Sequence, residues 1–296
     1  MSRVVVTGAR GQVGQALVEL CPSRFTLYSY ARDELDIADH SSVDEVLSTV
    51  RPDMLINAAA YTAVDNAEHE ADAAMRVNHL GSQVLAESCR EQGIRLVHIS
   101  TDFIFDGTAF KPYAVDAPAA PLGIYGQSKW LGEKAIREVA SDHLIVRTGW
   151  VYSHRGSNFF KTMLRLHQER SEISVISDQV GTPTRAESLA TALWRFSELR
   201  ELHGTYHWSD AGVCSWYDFA VAIGRSAAER GVLASPAKVK PICSDEYPTP
   251  AKRPHYSVLD KSTSWRELGY HANHWEEELA RAVECCAAAL ELPQPA

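Results

Sequence analysis

The joint between the first apolar run and the first amphipathic segment constrains the fold of this chain more than any other feature. Val4, Val5 and Val6 lead into Thr7-Gly8-Ala9-Arg10-Gly11-Gln12-Val13-Gly14, with glycines three residues apart where an extended segment turns into a helix. Glycine permits the tight turn, leaves backbone N–H groups open to a pyrophosphate and lets helix and strand approach closely. The helix N-terminus then favours the anion. A plain strand-to-helix turn is the competing reading. The nucleotide site is preferred because the loop opens a β-α-β unit, and the acidic candidates Asp33 and Asp36 follow about 20 residues later.

The alternation continues. Apolar runs at 4–7, 26–30, 54–57, 96–100 and 144–148 alternate with helical periodicity at 12–20, 41–50, 78–91 and 125–140. Continuously apolar strands are buried on both faces, so the expected fold class is α/β, a doubly wound parallel sheet covered by helices. Residues 1–150 read as a dinucleotide-binding domain. Helical stretches at 159–168, 186–200, 216–230 and 275–290, separated by Pro- and Gly-containing loops, read as a smaller substrate-binding lobe over 151–296. Part of 185–210 is expected to return to the main sheet. Pro241, Pro248 and Pro250 keep 236–254 extended or turning, and the tail 293–296 reads as frayed.

Charge narrows the partners. With 29 basic against 38 acidic side chains, a net charge of −9 and no lysine before Lys111, a surface that tracks nucleic-acid phosphates is not expected. No apolar run approaches membrane-spanning length and the N-terminus lacks a signal-like core, so a cytoplasmic protein without membrane partners is expected. The six cysteines form no C-x-x-C pair, which fits reduced thiols.

In an open parallel sheet the ligand crevice lies at the carboxyl ends of the strands. Asn57-Ala58-Ala59-Ala60-Tyr61 ends the third strand and Ser100-Thr101-Asp102 the fourth, so both face the cleft of the glycine loop. The alanines serve equally as a packing surface, since a flat backbone beside a cofactor also needs small side chains. Tyr125 and Lys129 stand four residues apart at the start of a helix, on one face. A cation beside a phenol stabilises the phenolate and lowers the pKa toward a range useful for proton transfer. A solvated helix face would show the same spacing, and the glycine loop together with Thr101 favours chemistry.

Gly8-x-x-Gly11-x-x-Gly14 with Tyr125-x-x-x-Lys129 resembles the extended short-chain dehydrogenase/reductases, and more narrowly the dTDP-4-dehydrorhamnose reductases. The narrower likeness rests on Asn57 to Asp65, Ser100 to Gly107, Arg147 to Tyr152, Asp178 to Thr184 and Arg253 to Asp260. The resemblance implies a catalytic set of Thr101, Tyr125 and Lys129. Tyr125 would give a proton to a sugar C4 ketone, Lys129 would tune it and hold the nicotinamide ribose, and Thr101 would hydrogen-bond the carbonyl. Implied cofactor contacts are Gly8, Gly11, Gln12, Val13, Asp36, Ile37, Ala59, Ala60 and Tyr61. Substrate contacts are Thr62, Val64 and Trp150, with Asp102 beside them. Arg10 and Arg32 are placed to reach a 2′-phosphate, so NADPH is the expected cofactor, with NADH also accepted.

Rival readings are a sugar-nucleotide epimerase or dehydratase of the same superfamily, and a regulatory subunit resembling the methionine adenosyltransferase beta subunit. Asp65, Glu68, Glu70 and Asp72 read as a solvated helix face, and Gly204 between His203 and His207 argues against a zinc-binding helix. Some members of the family are magnesium-linked dimers through a glutamate after the third glycine. This chain has Ala16 there, so no metal is expected although a homodimer is, with Glu187 the acid to check if one binds.

Overall fold

The computed structural model describes residues 1–291, so the tail 293–296 lies outside the described residues. The first five strands are β1 (Ser2–Thr7), β2 (Phe25–Tyr30), β3 (Met54–Asn57), β4 (Arg95–Thr101) and β5 (His143–Thr148). Four short ones follow, β6 (Val151–Tyr152), β7 (Glu172–Ile176), β8 (Val180–Gly181) and β9 (Thr184–Arg185). Then come β10 (Gly204–His207), β11 (Cys214–Ser215) and β12 (Lys238–Ile242). The main sheet has the order β10-β5-β4-β3-β1-β2 and is parallel throughout. The chain leaves β1 toward β2 and returns to β1's other side as β3. The switch point therefore falls between β1 and β3, where the glycine loop sits.

Alternation along each strand sends side chains to two cores. Val4 and Val6 pack with α1 (Gln12–Glu19) on one face, while Val5, Leu55 and Ile145 pack on the other with α2 (His40–Val50). Full burial stabilises by ~1.5–3 kcal/mol per valine side chain, so both faces lock the strand register. The segment 78–91, read as one helix, spans two pieces, the end of a π-helical turn and a helix. After the short α3 (Val64–Ala67) come α4 (Ala71–Met75), one π-helical turn at Arg76–Leu80 and α5 (Gly81–Gln92). Alongside runs α6 (Ile124–Val139). On the first face α8 (Ala186–Glu198) joins α1, whereas α7 (Phe159–Glu169) packs elsewhere.

A separate core gathers Phe160, Ile173, Phe219, Ile223 and Leu279 from α7, β7, α9 (Trp216–Glu229) and α11 (Trp275–Glu291), with α10 (Ser262–Leu268) against the main sheet. Here β12 pairs parallel to β7 with Pro241 opposite Val175, and a proline survives because the sheet has two strands only. Among the described residues no helix is long and apolar enough to cross a membrane.

Candidate active site

The glycine loop rides directly on the end of β3. Gly8 has φ +68°, and a Cβ there would come within 2.6 Å of Ala59 N; one on Gly14 would lie 2.1 Å from Gly8 O. The small residues therefore bring two backbones into contact and leave Gly11, at the start of α1, without a side chain over the cleft. Gly11 N donates to Gly8 O at 2.9 Å, and no side chain caps the helix. A bare helix N-terminus over a cleft with no room for a Cβ beneath it fits the pyrophosphate of a dinucleotide.

Thr101, at the end of β4, is 5% exposed, and its Oγ1 accepts from Phe103 N and donates to Asp102 Oδ1, each at 3.2 Å. Across from it α6 carries Tyr125 and Lys129. Gly123 cannot cap this helix, and Glu68 does so instead, its Oε1 accepting from Ile124 N at 2.9 Å. The π-helical turn holds the other side. Asn78 accepts from Tyr61 N at 2.9 Å and donates to Tyr61 O and Ser128 Oγ, each at 3.0 Å, tying the end of β3 to the helix of Tyr125. Such turns gather at functional sites because the extra residue re-aims a side chain inward.

Burial dominates the electrostatics. It pushes the Tyr125 phenol up to about 12 against a hydrogen bond with Thr101, and pulls Lys129 down to about 8 against the charge of Glu133. This reverses the expected lowering of the phenol. The Lys129 Nζ lies at 2.7 Å from Ile99 O and 3.1 Å from His98 Nε2, so its polar contacts are with β4. Burial likewise raises Asp102 to about 6, opposed by hydrogen bonds from Ser257 and Thr101.

The cleft has a volume of about 530 Å³. Gly11, Gln12, Val13, Ala59, Ala60, Thr62, Val64, Thr101, Asp102, Tyr125, Lys129 and Trp150 all line it. Gly8 and Gly14 underlie the loop. Others stand apart. Arg10 pairs with Asp33 at 2.8 Å and Asp36 with Arg76 at 2.7 Å; Ile37 is in the core, and Arg32 is exposed. Tyr61 points away, its hydroxyl donating to Glu70 at 2.8 Å. A polar hollow of about 540 Å³ between Arg51, Asp53 and Arg200 lies by the amino ends of the strands and is lined by none of these residues.

Three features went unread in the sequence. Trp216 stacks on Trp150 with ring centroids 3.5 Å apart and planes within 3°, holding Trp150 at the strained φ of 50°. The capping box Ser215-x-x-Asp218 marks the helix start that presents Trp216. Arg253 lines the cleft and forms a two-pronged pair with Asp65, at 2.7 and 3.0 Å. Glu68 caps α6 and Glu70 accepts from Tyr61, so three of the four acids read as a solvated face have partners, while Glu70 and Asp72 are exposed as that reading expects. The partners of Asp65 and Glu68 come from distant segments, which a local pattern does not show. Glu187 is engaged as well, by His154 at 3.1 Å and Arg185 at 3.0 Å. Among the described residues no group of three His, Cys, Asp or Glu side chains is arranged to hold a metal ion.

A parallel sheet whose strand ends share one cleft with a glycine loop and a Tyr-x-x-x-Lys helix is the build of the extended short-chain dehydrogenase/reductases. Residues 2–287 match the family described as "RmlD substrate binding domain". The chain belongs to that family, the dTDP-4-dehydrorhamnose reductases. It is 40% identical over 291 residues to the dTDP-4-dehydrorhamnose reductase of Burkholderia thailandensis, covering 95% of this chain and 98% of that protein. It is also 40% identical to the spore coat polysaccharide biosynthesis protein SpsK of Bacillus subtilis, over 96% and 98% of the two chains. The Bacillus anthracis dTDP-4-dehydrorhamnose reductase, solved in complex with NADP, superposes with a TM-score of 0.90 at 38% identity, covering 95% of this chain and 98% of that one.

Proposed function

We infer that this protein reduces the C4 ketone of dTDP-4-dehydro-L-rhamnose to dTDP-L-rhamnose with NADPH. The observation that carries the chemistry is that Tyr125 and Lys129, one helical turn apart, open into the same cleft as the bare helix end at Gly11. The near-full-length identity to named reductases supplies the substrate. Bound on the glycine loop, NADPH supplies the hydride. Tyr125 gives its phenolic proton to the C4 oxygen as the C=O π bond breaks, and Thr101 donates a hydrogen bond to the same oxygen. Lys129 holds the nicotinamide ribose and, once charged, steadies the phenolate until solvent reprotonates it.

The remaining assignments are those the family resemblance implies. Gly8, Gly11, Gln12, Val13, Gly14, Ala59 and Ala60 cradle the dinucleotide, with Asp36, Ile37 and Tyr61 at its edge. Arg10 and Arg32 meet the 2′-phosphate once Arg10 exchanges Asp33 for it. Thr62, Val64 and Asp102 contact the sugar nucleotide, Trp150 gives it an aromatic face, and Arg253 meets its diphosphate once its fork exchanges Asp65 for it. Residues 1–150 form the cofactor domain and 151–296 the substrate lobe, with β10 serving the former. A cytoplasmic homodimer completes the reading.

The test generates dTDP-4-dehydrorhamnose in situ and follows NADPH. One NADPH oxidised per dTDP-rhamnose formed is the expected result. Conversion without net NADPH consumption would establish an epimerase or dehydratase, and no turnover alongside capture of a synthetase would establish a regulatory subunit.

A further inference from the structure

His98 sits on β4 three residues before Thr101, is 1% exposed, and touches Lys129. Its other ring nitrogen, Nδ1, lies 3.0 Å from Asn57 Nδ2. The orientation of that amide is set by its surroundings. Ala59 N–H can only donate, and it meets Asn57 Oδ1 at 3.1 Å, where Thr7 Oγ1 also arrives at 2.6 Å. The atom facing His98 is therefore the amide nitrogen, and His98 Nδ1 accepts. A neutral imidazole has one acceptor and one donor, so the proton is on Nε2 and points at Lys129 Nζ, 3.1 Å away. An ammonium has no lone pair to receive it; an uncharged amine does.

An imidazolium would fail in the same place, because its Nδ1–H would abut the Asn57 amide hydrogens. Burial, with Lys129 and Arg137 nearby, also holds His98 well below its ordinary value. The remaining ionisable neighbours are Tyr125 one turn back on α6, Asp102 at the end of β4, and Glu133 one turn on. Glu133 favours the ammonium, but its carboxylate is already shared by Arg147 from β5 at 2.9 Å and Arg137 at 2.5 Å.

We propose that Thr7, Asn57 and His98 form a positioning relay that favours the uncharged amine of Lys129 while Lys129 faces His98, so that capture of NADPH takes up a proton. This rests on the reading that Lys129 holds the nicotinamide ribose. On turning from His98 to the ribose, the amine lone pair binds a proton from solvent. The proton leaves when the oxidised cofactor does, and no electrons move in either step.

Calorimetric titration of NADPH into the full chain, in buffers of different ionisation enthalpy, counts the protons. With Lys129 at about 8, uptake should rise from about a quarter of a proton at pH 7.5 to about three quarters at pH 8.5. In His98→Gln the carboxamide oxygen can turn to Lys129 and accept from an ammonium, so uptake at pH 8.5 should fall at least about threefold. Binding without uptake in the wild type, or equal uptake in the variant, overturns the relay. Failure of NADPH to bind overturns the reductase reading as well, so the two failures are told apart. If His98→Gln does not fold, long-range ¹H–¹⁵N spectra of the ligand-free wild type decide the matter. The Nε2–H tautomer at His98 is expected, and Nδ1–H or imidazolium refutes the proposal.

Discussion

Replacing Glu133 by Gln changes one oxygen to an NH₂ and should cost this protein more than any other isosteric substitution near the site. Glu133 is fully buried and accepts from Arg147 Nε and Nη2, each at 2.9 Å, and from Arg137 Nη2 and Ser100 Oγ, each at 2.5 Å. These bonds join α6 to β4 and β5 one turn beyond Lys129. Glutamine can keep the arginine bonds on one atom only, and its NH₂ then abuts an Arg147 N–H while the guanidinium, 3% exposed, loses its counter-charge. Breaking a buried pair costs about 3–5 kcal/mol, which lowers Tm by about 5–8 °C in a chain of this size. Burial alone would raise the Glu133 carboxyl, but Arg147, then Arg137 and Ser100, hold it below the ordinary 4.5. Its stabilisation is thus present above that value and is lost as pH falls through the folded one. Urea and thermal unfolding of both proteins at pH 7.5 and in acid would show a large gap that closes on acidification. A variant within about 1 kcal/mol of wild type at pH 7.5 would refute the reasoning.

Tyr125→Phe keeps the ring edge-on to Phe103, at 5.5 Å, so folding should survive while kcat falls about 10²–10⁴-fold; unchanged kcat would remove the assigned role. Asp210, fully buried, is pushed up to about 7, so its ionisation costs stability as pH rises from 3.8 through that value. Asp210→Asn should accordingly be more stable than wild type at pH 8.5, by up to about 4 kcal/mol, and no more stable near pH 4. Arg10→Ala/Arg32→Ala should lose the preference for NADPH over NADH by about tenfold or more in Kd, and an unchanged ratio would count against the 2′-phosphate contact. With Ala16 after the glycine loop and Glu187 held by His154 and Arg185, EDTA should alter neither turnover nor the mass seen by light scattering. A chelator-sensitive dimer restored by Mg²⁺ would point to ligands elsewhere.

What could be read without the structure was whatever depends on neighbours along the chain. The order of strands and helices follows from periodicity, the turn at Gly8 from a backbone angle that glycine reaches freely, and the pairing of Tyr125 with Lys129 from the pitch of a helix. The strand ends at Ala59 and Thr101 share a cleft because a parallel sheet collects all its carboxyl ends on one side. None of this needs a long-range contact.

Other properties were decided only by folding. Asp36 and Arg76 are 40 residues apart, Glu68 and Ile124 56, and Asp65 and Arg253 188, and the solvated reading missed the roles of Asp65 and Glu68 because those partners arrive from other elements. Trp216, at the start of α9, reaches Trp150 after the end of β5 to make the aromatic wall. The direction of the pKa shifts at Tyr125 and Lys129 belongs here too. Four residues of spacing put an ammonium near a phenol, but charge state depends on desolvation and on who else hydrogen-bonds. Burial against β4, with His98 and Ile99 O taking the lysine, reversed what the spacing alone implied. Local sequence determines where a chain turns and which face it buries, whereas the energy of a charge is set by every group around it, and only the tertiary structure assembles those.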